Sequence, residues 1–299
     1  MTASSPRARA IATLALFAGA AAIATAPLFV RWSETGPIAT AFWRIALALP
    51  LLWGWSLFEQ RGRHVASFAA NRRLLVLAGL FFAADLAVWH WSIVLTSVAN
   101  ATLLSNLAPI FVTLAAWVLF GRRPIGLFLV GLATALGGVT LLIGGDFTLG
   151  NRVLLGDALG VLTAVFYAAY QITVTRLRSR VATSSLMAWS GVFMAIPLLA
   201  LALVTGEEVL PATASGWMTL AALAIIAQAG GQSLIAYAMA HLPGTFSSVG
   251  LLLQPVVAAL LAWALLGETL GWLAIVGGAA VLAGIAIAHR AEVVRRIDQ

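Results

Sequence analysis

The feature that most constrains this chain is a succession of apolar runs, each about 20 residues long, which fill nearly its whole length. A helix of about that length crosses a hydrocarbon core of about 30 Å. Charged residues make up only 9% of the 299 residues, against roughly a quarter in soluble domains, which excludes a soluble fold. The sequence therefore predicts an all-α membrane protein with ten transmembrane helices, at roughly 9–30, 37–58, 73–95, 98–118, 125–144, 154–176, 184–204, 215–239, 245–266 and 270–290.

The positions of the arginines predict the orientation in the membrane. All 17 basic residues are Arg, and with the N-terminus inside, all but Arg31, Arg44 and Arg152 fall on cytoplasmic segments. Since basic residues near span ends are retained in the cytoplasm, both termini are predicted to be cytoplasmic. The arginines stand singly or in pairs at helix ends, which favours topology over nucleic-acid binding. The N-terminal run is interpreted as a retained first helix, because Pro27 disfavours signal cleavage after Ala26.

One segment of the sequence occurs twice. Residues 108–123 read APIFVTLAAWVLFGRR, and residues 254–269 read QPVVAALLAWALLGET. An offset of 146 aligns residues 109–138 with 255–284 without gaps, and the Pro, Ala-Trp and Gly registers coincide. Five helices per copy is an odd number, so the second copy must enter the membrane from the opposite side. The prediction is two inverted five-helix repeats, at 1–147 and 148–299, an arrangement typical of transporters with a site between the halves.

The repeated pattern is similar to a known family. A Pro, an apolar helix, Leu-Leu-Gly-Glu and a further helix with spaced Gly resemble the EamA branch of the drug/metabolite transporter superfamily, most closely at residues 251–285. The stretch TAFWRIALALPLL around Arg44 is also similar. Within the branch, the chain resembles YddG-type exporters of aromatic and other amino acids. The resemblance implies a multi-pass protein of the bacterial inner (cytoplasmic) membrane.

The first copy departs from the family pattern at its end. Arg122 and Arg123 stand where the pattern expects Gly-Glu and a polar continuation, so a role of that glutamate carries over only to Glu268. Arginines suit a helix that ends in the cytoplasm, whereas the second copy would end outside. The difference between the copies therefore agrees with their inversion.

Polar and aromatic side chains within the spans indicate where a cavity lies. Such groups are costly in lipid and usually face protein or a water-filled interior. Residues four apart share a helix face, as in Asp85 with Trp89 or Gln228 with Gln232. The predicted substrate cavity comprises Asp85, Trp89, His90, Asn106, Tyr167, Tyr170, Gln171, Gln228, Gln232, Ser248 and Gln254.

Several of these residues have a second interpretation. Asp85 either forms a structural ion pair, with Arg44 or His90 as partner, or acts on substrate or proton. Gln228 and Gln232 either face the cavity or bridge helices, and Ser248 either faces it or bonds its own backbone. Pro109 and Pro255 remove backbone donors from two equivalent helices, so they are predicted to be kinks that serve as hinges, with a static kink as the alternative.

The sequence predicts transport and offers no enzymatic constellation. It contains no GxSxG, HExxH or Walker A motif, its four His are scattered, and it has no Cys, so no cofactor or metal is expected. The predicted function is export of amino acids with aromatic and other apolar side chains, and of related metabolites, by alternating access. The alternative is efflux of lipophilic organic cations, proton-coupled through Asp85. The expected partners are the lipid bilayer and a small-molecule substrate, without nucleic acid, for a monomer or weak homodimer.

Overall fold

The computed structural model describes residues 6–60, 64–96, 98–143, 151–178, 180–266 and 271–297. Every regular element in these ranges is a helix. The helices are α1 (Pro6–Ile23), α2 (Ala26–Trp32), α3 (Pro37–Ala46), α4 (Leu49–Gln60), α5 (His64–Leu95), α6 (Val98–Ser105), α7 (Ala108–Phe120), α8 (Gly126–Ile143), α9 (Asn151–Leu177), α10 (Thr183–Val204), α11 (Ala214–Ala222), a π-helix (Leu223–Gln232), α12 (Ser233–Ala238), α13 (Gly244–Gly250), α14 (Leu253–Leu266) and α15 (Trp272–Ile297).

The helices have the length and composition of membrane spans. Within the described ranges, eight helical stretches are long and apolar enough to cross a membrane, and Gly126–Leu142 is a shorter apolar helix. The predicted class, an all-α membrane protein, is therefore confirmed. The number of ten crossings and the cytoplasmic position of the termini stay predictions.

Four of the stretches are kinked at a short turn in which the backbone stays in the right-handed helical region. The breaks separate α1 from α2, α3 from α4, α6 from α7 and α13 from α14, and a Pro follows each break within the first turn of the next helix. Pro109 and Pro255 stand in the first turns of α7 and α14, in the middle of the continuous stretches Ala101–Phe120 and Gly244–Leu265, so the predicted kinks are present. Proline removes a backbone donor, so the turn before it lacks part of the regular helical hydrogen bonds.

The eighth predicted span also departs from a regular α-helix. Its middle third is a π-helix, from Leu223 to Gln232, between α11 and α12. Gly230 and Gly231 lie in this segment. A Cβ at Gly231 would lie 3.1 Å from the Gly19 carbonyl oxygen, so glycine allows α1 to approach the wide π-turn closely. π-helical segments are rare and frequently occur at functional sites.

The interrupted helices assemble into two groups. In the first, called the α9 group, α5, α6 and α7 pack against α9. In the second, called the α1 group, the π-helix, α12 and α14 pack against α1. Helix α10 contacts α3, α4 and α5, and α8 pairs with α15.

Helices α8 and α15 are in backbone contact through four glycines. A Cβ at Gly131 would lie 2.8 Å from the Gly284 carbonyl oxygen, and one at Gly138 would lie 2.6 Å from that of Gly277. The sequence number rises along one helix as it falls along the other, so the two helices run antiparallel. In the repeat register, Gly131 corresponds to Gly277 and Gly138 to Gly284. The repeat register therefore converts the contact between Gly131 and Gly284 into the contact between Gly277 and Gly138. A local two-fold axis exchanges two contacts in this way.

Two loops at one end of the molecule are connected by hydrogen bonds to two glutamate carboxylates. The Glu207 carboxylate accepts a hydrogen bond of 2.8 Å from the Ala39 N–H in the first turn of α3. The Glu34 carboxylate accepts bonds of 3.0 Å from the N–H groups of Ala212 and Thr213, just before α11. Each carboxylate thus caps a helix start in the other loop. These bonds, above all the one from the Thr213 hydroxyl, lower the pKa of Glu34.

Candidate functional site

A cavity of about 210 Å³ lies between the α9 group and the α1 group. The α9 group contributes side chains of α5, α6 and α9 to its wall, and the α1 group contributes side chains of α1, the π-helix and α14. Helices α2 and α3 complete the wall. The interruption after α1 lies in the wall at Ala24, and that after α6 lies there at Asn106. Irregular backbone at membrane depth is tolerated where it borders such a cavity.

Some of the residues that were predicted to line the cavity contribute to this wall, and others do not. Asp85, Trp89, Asn106, Tyr167, Gln232 and Gln254 line the cavity, together with Pro255. Tyr170, Gln171, Gln228, Ser248 and Pro109 are buried and do not line it. The side chain of His90 and the whole of Glu268 lie outside the described residues.

Asp85 supplies a carboxylate to the cavity. Its side chain is 8% exposed and lines the wall from α5, one helical turn before Trp89. No side chain among the described residues donates a hydrogen bond to it. Arg44 is the cation that acts on it electrostatically. A buried carboxylate with free acceptor positions is energetically costly in a membrane protein. Such a group therefore indicates a binding site.

Arg44 supplies the opposite charge. It lines the same cavity from α3 and is 8% exposed. Its Nε donates a hydrogen bond of 3.1 Å to Oε1 of Gln228, and its guanidinium carbon lies 5.8 Å from the centre of the Phe82 ring. Gln228 and Phe82 thus hold the guanidinium in place from two sides.

Sequence reasoning missed Arg44 as a member of the site and named it only as a partner of Asp85. A signal was present, since Arg44 is one of the arginines that the cytoplasmic bias leaves unexplained. Two threonines of the wall were missed as well. Thr40 precedes Arg44 by four residues and Thr163 precedes Tyr167 by four, so helical spacing places them on the faces already identified.

Tyrosines and glutamines link the two groups beside the cavity. Gln232 Nε2 donates a hydrogen bond of 2.9 Å to the Tyr170 hydroxyl. Tyr167 and Gln254 face the cavity from α9 and α14. Phe82 packs on Tyr170 with 4.7 Å between ring centres. Gln232 therefore both bridges two helices and faces the cavity, the two roles that the sequence left open for it.

Some polar atoms of the wall have no hydrogen-bond partner within the described residues. These are Oγ1 of Thr163 and Oε1 of Gln232. Buried polar groups are nearly always paired, so such atoms need an explanation. Asn106 is different, because its Nδ2 donates 2.8 Å to the Thr102 carbonyl and so satisfies a backbone acceptor beside the helix interruption.

Two further predicted residues do not line the cavity. Ser248 donates a hydrogen bond of 2.8 Å to the Thr245 carbonyl, the backbone alternative that the sequence allowed. Gln171 lies in α9, is 1% exposed and does not line the cavity. Its position one turn beyond Tyr167 carries it into the packed end of the helix rather than into the wall.

An all-helical membrane fold with a charged cavity between two groups of helices defines a membrane transporter. The model of the EamA-like transporter family matches residues 10–144 and again residues 154–289, so the chain belongs to the EamA-like transporter family. The family predicted from the Pro, Leu-Leu-Gly-Glu and spaced-Gly pattern is thereby confirmed.

Curated relatives and a solved structure resemble the chain over most of its length. A probable terminal-alkyne amino-acid exporter of Streptantibioticus cattleyicolor is 31% identical over 211 residues, 69% of either chain. The pseudopaline exporter CntI of Pseudomonas aeruginosa is 28% identical over 253 residues, 84% of this chain and 85% of its own. A protein crystal structure with 18% identity superposes with a TM-score of 0.82, covering 96% of this chain and 99% of its own. That superposition shows the fold alone.

Proposed function

We propose that this protein exports amino acids with aromatic and other apolar side chains, together with related metabolites, across the bacterial inner membrane. The observation that carries the proposal is the pair of opposite charges, Arg44 and Asp85, in one cavity. A free amino acid is a zwitterion, so Arg44 would bind its carboxylate and Asp85 its ammonium group. The terminal-alkyne amino-acid exporter among the relatives supports this substrate class.

The remaining wall suits an apolar side chain. Ile23, Ala26, Val30 and Leu223 lie on the side formed by α1, α2 and the π-helix. Phe82 and Trp89 face the same space from α5. Ligand sites of this kind combine mostly apolar walls with a few polar groups that fix orientation. A substrate anchored by its charged end would place its side chain against these residues.

Transport is proposed to proceed by alternating access between two inverted repeats, residues 1–147 and 148–299, with ten spans and cytoplasmic termini. The local two-fold contact of Gly131, Gly138, Gly277 and Gly284 supports the inversion. Those four glycines pack within one chain, so they are not available for a contact with a second subunit. A monomer is therefore the proposed transport unit. The helix interruptions before Pro109 and Pro255 are proposed hinges, since they lack continuous helical hydrogen bonds.

Efflux of lipophilic cations is the alternative that uses Asp85 alone. Arg44 disfavours cation efflux, because a buried guanidinium in the same cavity repels a cationic substrate. A wall with one group of each sign favours a neutral zwitterion instead.

The decisive experiment is flux in proteoliposomes with three molecules that share one phenyl side chain. Phenylalanine carries both charges, phenethylamine carries only the ammonium group, and hydrocinnamate carries only the carboxylate. We expect phenylalanine alone to be transported. Loss of one charge-assisted hydrogen bond corresponds to about 10- to 100-fold in affinity, so Arg44→Gln and Asp85→Asn should each weaken phenylalanine uptake by about that factor.

The matched control is Arg123→Gln, which removes an exposed arginine after α7 and should leave uptake unchanged. Flux with and without a pH gradient measures proton coupling in the same preparation. If phenethylamine moves while phenylalanine does not, the zwitterion proposal is wrong and cation efflux replaces it.

A further inference from the structure

The repeat register relates the helices on the two sides of the cavity by a single offset. The offset of 146 that aligns Pro109 with Pro255 takes the bounds of α6 to 244 and 251, and those of α7 to 254 and 266. Helix α13 occupies Gly244–Gly250 and α14 occupies Leu253–Leu266, so the bounds agree to within one residue. Helix α13 is therefore the counterpart of α6, and α14 is the counterpart of α7.

Two equivalent helix pairs are arranged differently in this structure. Helices α6 and α14 line the cavity from its two sides, with Thr102 on α6 and Ala258 on α14. The equivalent pair is α13 and α7, and these two helices pack against each other. Ser248 is the counterpart of Thr102 and Val112 that of Ala258, and both are buried away from the cavity. One pair is thus open and its equivalent is closed.

The closed pair contains buried polar side chains that lack partners. Thr113 lies on α7 and Ser247 on α13, and neither hydroxyl has a hydrogen-bond partner in the part of the chain that the structure describes. Helix α9 packs against both helices and contributes Gln171, whose Nε2 and Oε1 are both unpaired within the same ranges. Unpaired buried polar groups are costly. Their presence on three helices in mutual contact calls for a function beyond packing.

These side chains lie between the cavity and the predicted cytoplasmic end. A Cβ at Gly244, the first residue of α13, would lie 3.3 Å from Oγ1 of Thr175 in α9. In the predicted topology α9 runs toward the cytoplasm and α13 away from it. Gln171, one turn before Thr175, is therefore level with Ser247, almost one turn after Gly244.

We propose that α7, α9 and α13 enclose a second substrate position, which is closed here and opens to the cytoplasm in the opposite conformation. There the repeats exchange their arrangements, so that α6 and α14 pack together while α7 and α13 separate. Thr113, Gln171 and Ser247 then hydrogen-bond the charged end of an amino acid. Hydroxyl and amide groups supply both donors and acceptors, which suits a zwitterion at a position without a fixed charge. This inference rests on the proposed alternating access.

The experiment compares equivalent positions as single thiols, because the chain has no Cys of its own. Ala258→Cys and Thr102→Cys report on the open pair, and Val112→Cys and Ser248→Cys report on the closed one. A membrane-impermeant maleimide is applied from outside to intact cells and from the cytoplasmic side to inside-out vesicles. The first two thiols should react from outside, and the other two only from the cytoplasmic side. Since they report a minor conformation, the latter should react about tenfold or more slowly.

Binding at the second position is measured by protection of the thiol. Phenylalanine added to inside-out vesicles should slow the labelling of Val112→Cys, whereas phenethylamine and hydrocinnamate should not. Adding Gln171→Leu removes the unpaired amide and favours the closed pair. It should therefore slow the labelling of Val112→Cys by about tenfold and slow phenylalanine flux. A merely structural role for Gln171 predicts a higher Tm with unchanged labelling.

Ala164→Cys is the matched buried control. Ala164 is fully buried in α9, one turn after Gly160, whose Cβ position lies 3.0 Å from Cβ of Leu104 in α6. It belongs to the interior of the α9 group and should stay unlabelled from both sides, which excludes local unfolding as the cause of labelling.

Three results would overturn the inference. Val112→Cys and Ser248→Cys stay unlabelled from the cytoplasmic side, or Ala164→Cys reacts as fast as they do. In the third, phenylalanine is transported and protects Ala258→Cys but not Val112→Cys. If phenylalanine is neither transported nor protective while all thiols react from the expected sides, the proposed substrate is wrong. The labelling then still supports the opening between α7 and α13.

Discussion

The contact between α8 and α15 can be tested with two neighbouring glycines of one helix. Gly138 faces α15, and a Cβ there would lie 2.6 Å from the Gly277 carbonyl oxygen and 2.6 Å from the Val281 nitrogen. Gly137 faces outward, with no atom within 4 Å of its Cβ position. The substitutions Gly137→Ala and Gly138→Ala therefore change the same helix by the same atom, on opposite faces.

The magnitude follows from the geometry. Ordinary contact begins at 3.4 Å, so the new methyl group at position 138 is short by 3.4 − 2.6 = 0.8 Å, and its neighbours are backbone atoms that cannot rotate away. Forcing a methyl group into such packing costs about 1–3 kcal/mol. Replacing Gly by Ala gains up to about 1 kcal/mol of helix propensity at either site. The propensity gain cancels in the comparison, so Gly138→Ala should be less stable than Gly137→Ala by about 1–3 kcal/mol.

The assay is thermal unfolding of the purified protein in detergent, followed by intrinsic tryptophan fluorescence. Gly137→Ala should raise Tm slightly, whereas Gly138→Ala should lower it by several degrees. Gly277→Ala should also lower it, because its Cβ would lie 2.4 Å from the Leu142 nitrogen. Equal Tm values for Gly137→Ala and Gly138→Ala would refute the argument that close backbone packing holds these helices together.

Three further predictions concern the loops and the interrupted helices. Glu207→Gln weakens the cap on α3 and should cost about 1 kcal/mol of stability in urea unfolding. The lowered pKa of Glu34 means that its contribution is complete above the ordinary value of 4.5 and is lost as the pH falls through the folded value. Thermal stability should therefore fall below about pH 4 less steeply in Glu34→Gln than in the unmodified protein. Pro109→Ala allows α6 and α7 to join and should slow phenylalanine flux more than Pro197→Ala, which changes a proline inside the continuous α10.

The kinks of the spans show where sequence patterns stop being informative. Apolar length and Pro109 predict that the stretch bends, but they cannot show by how much or in which direction. The same holds for the π-helix, since Gln228 and Gln232 lie one turn apart in either geometry. These outcomes depend on which neighbour packs against the backbone, as Gly19 does against Gly231.

What the sequence determined by itself is the class and the plan of the protein. Apolar runs of about 20 residues indicate a helical membrane protein, because backbone groups in lipid must be paired within each span. The Pro, Leu-Leu-Gly-Glu and spaced-Gly pattern predicted the family, which the match over 10–144 and 154–289 confirms. These features are local in the chain, so they are recognisable without knowledge of the tertiary contacts.

Only the tertiary structure decided which polar residues share the cavity. Arg44 and Asp85 lie on different helices, and no spacing in the sequence shows that both line one wall while Tyr170 and Gln228 stand behind it. Periodicity fixes the face of a helix on which a residue lies, but the partner of that face depends on how the helices pack. The charge pair that suggests a zwitterionic substrate is a property of that packing.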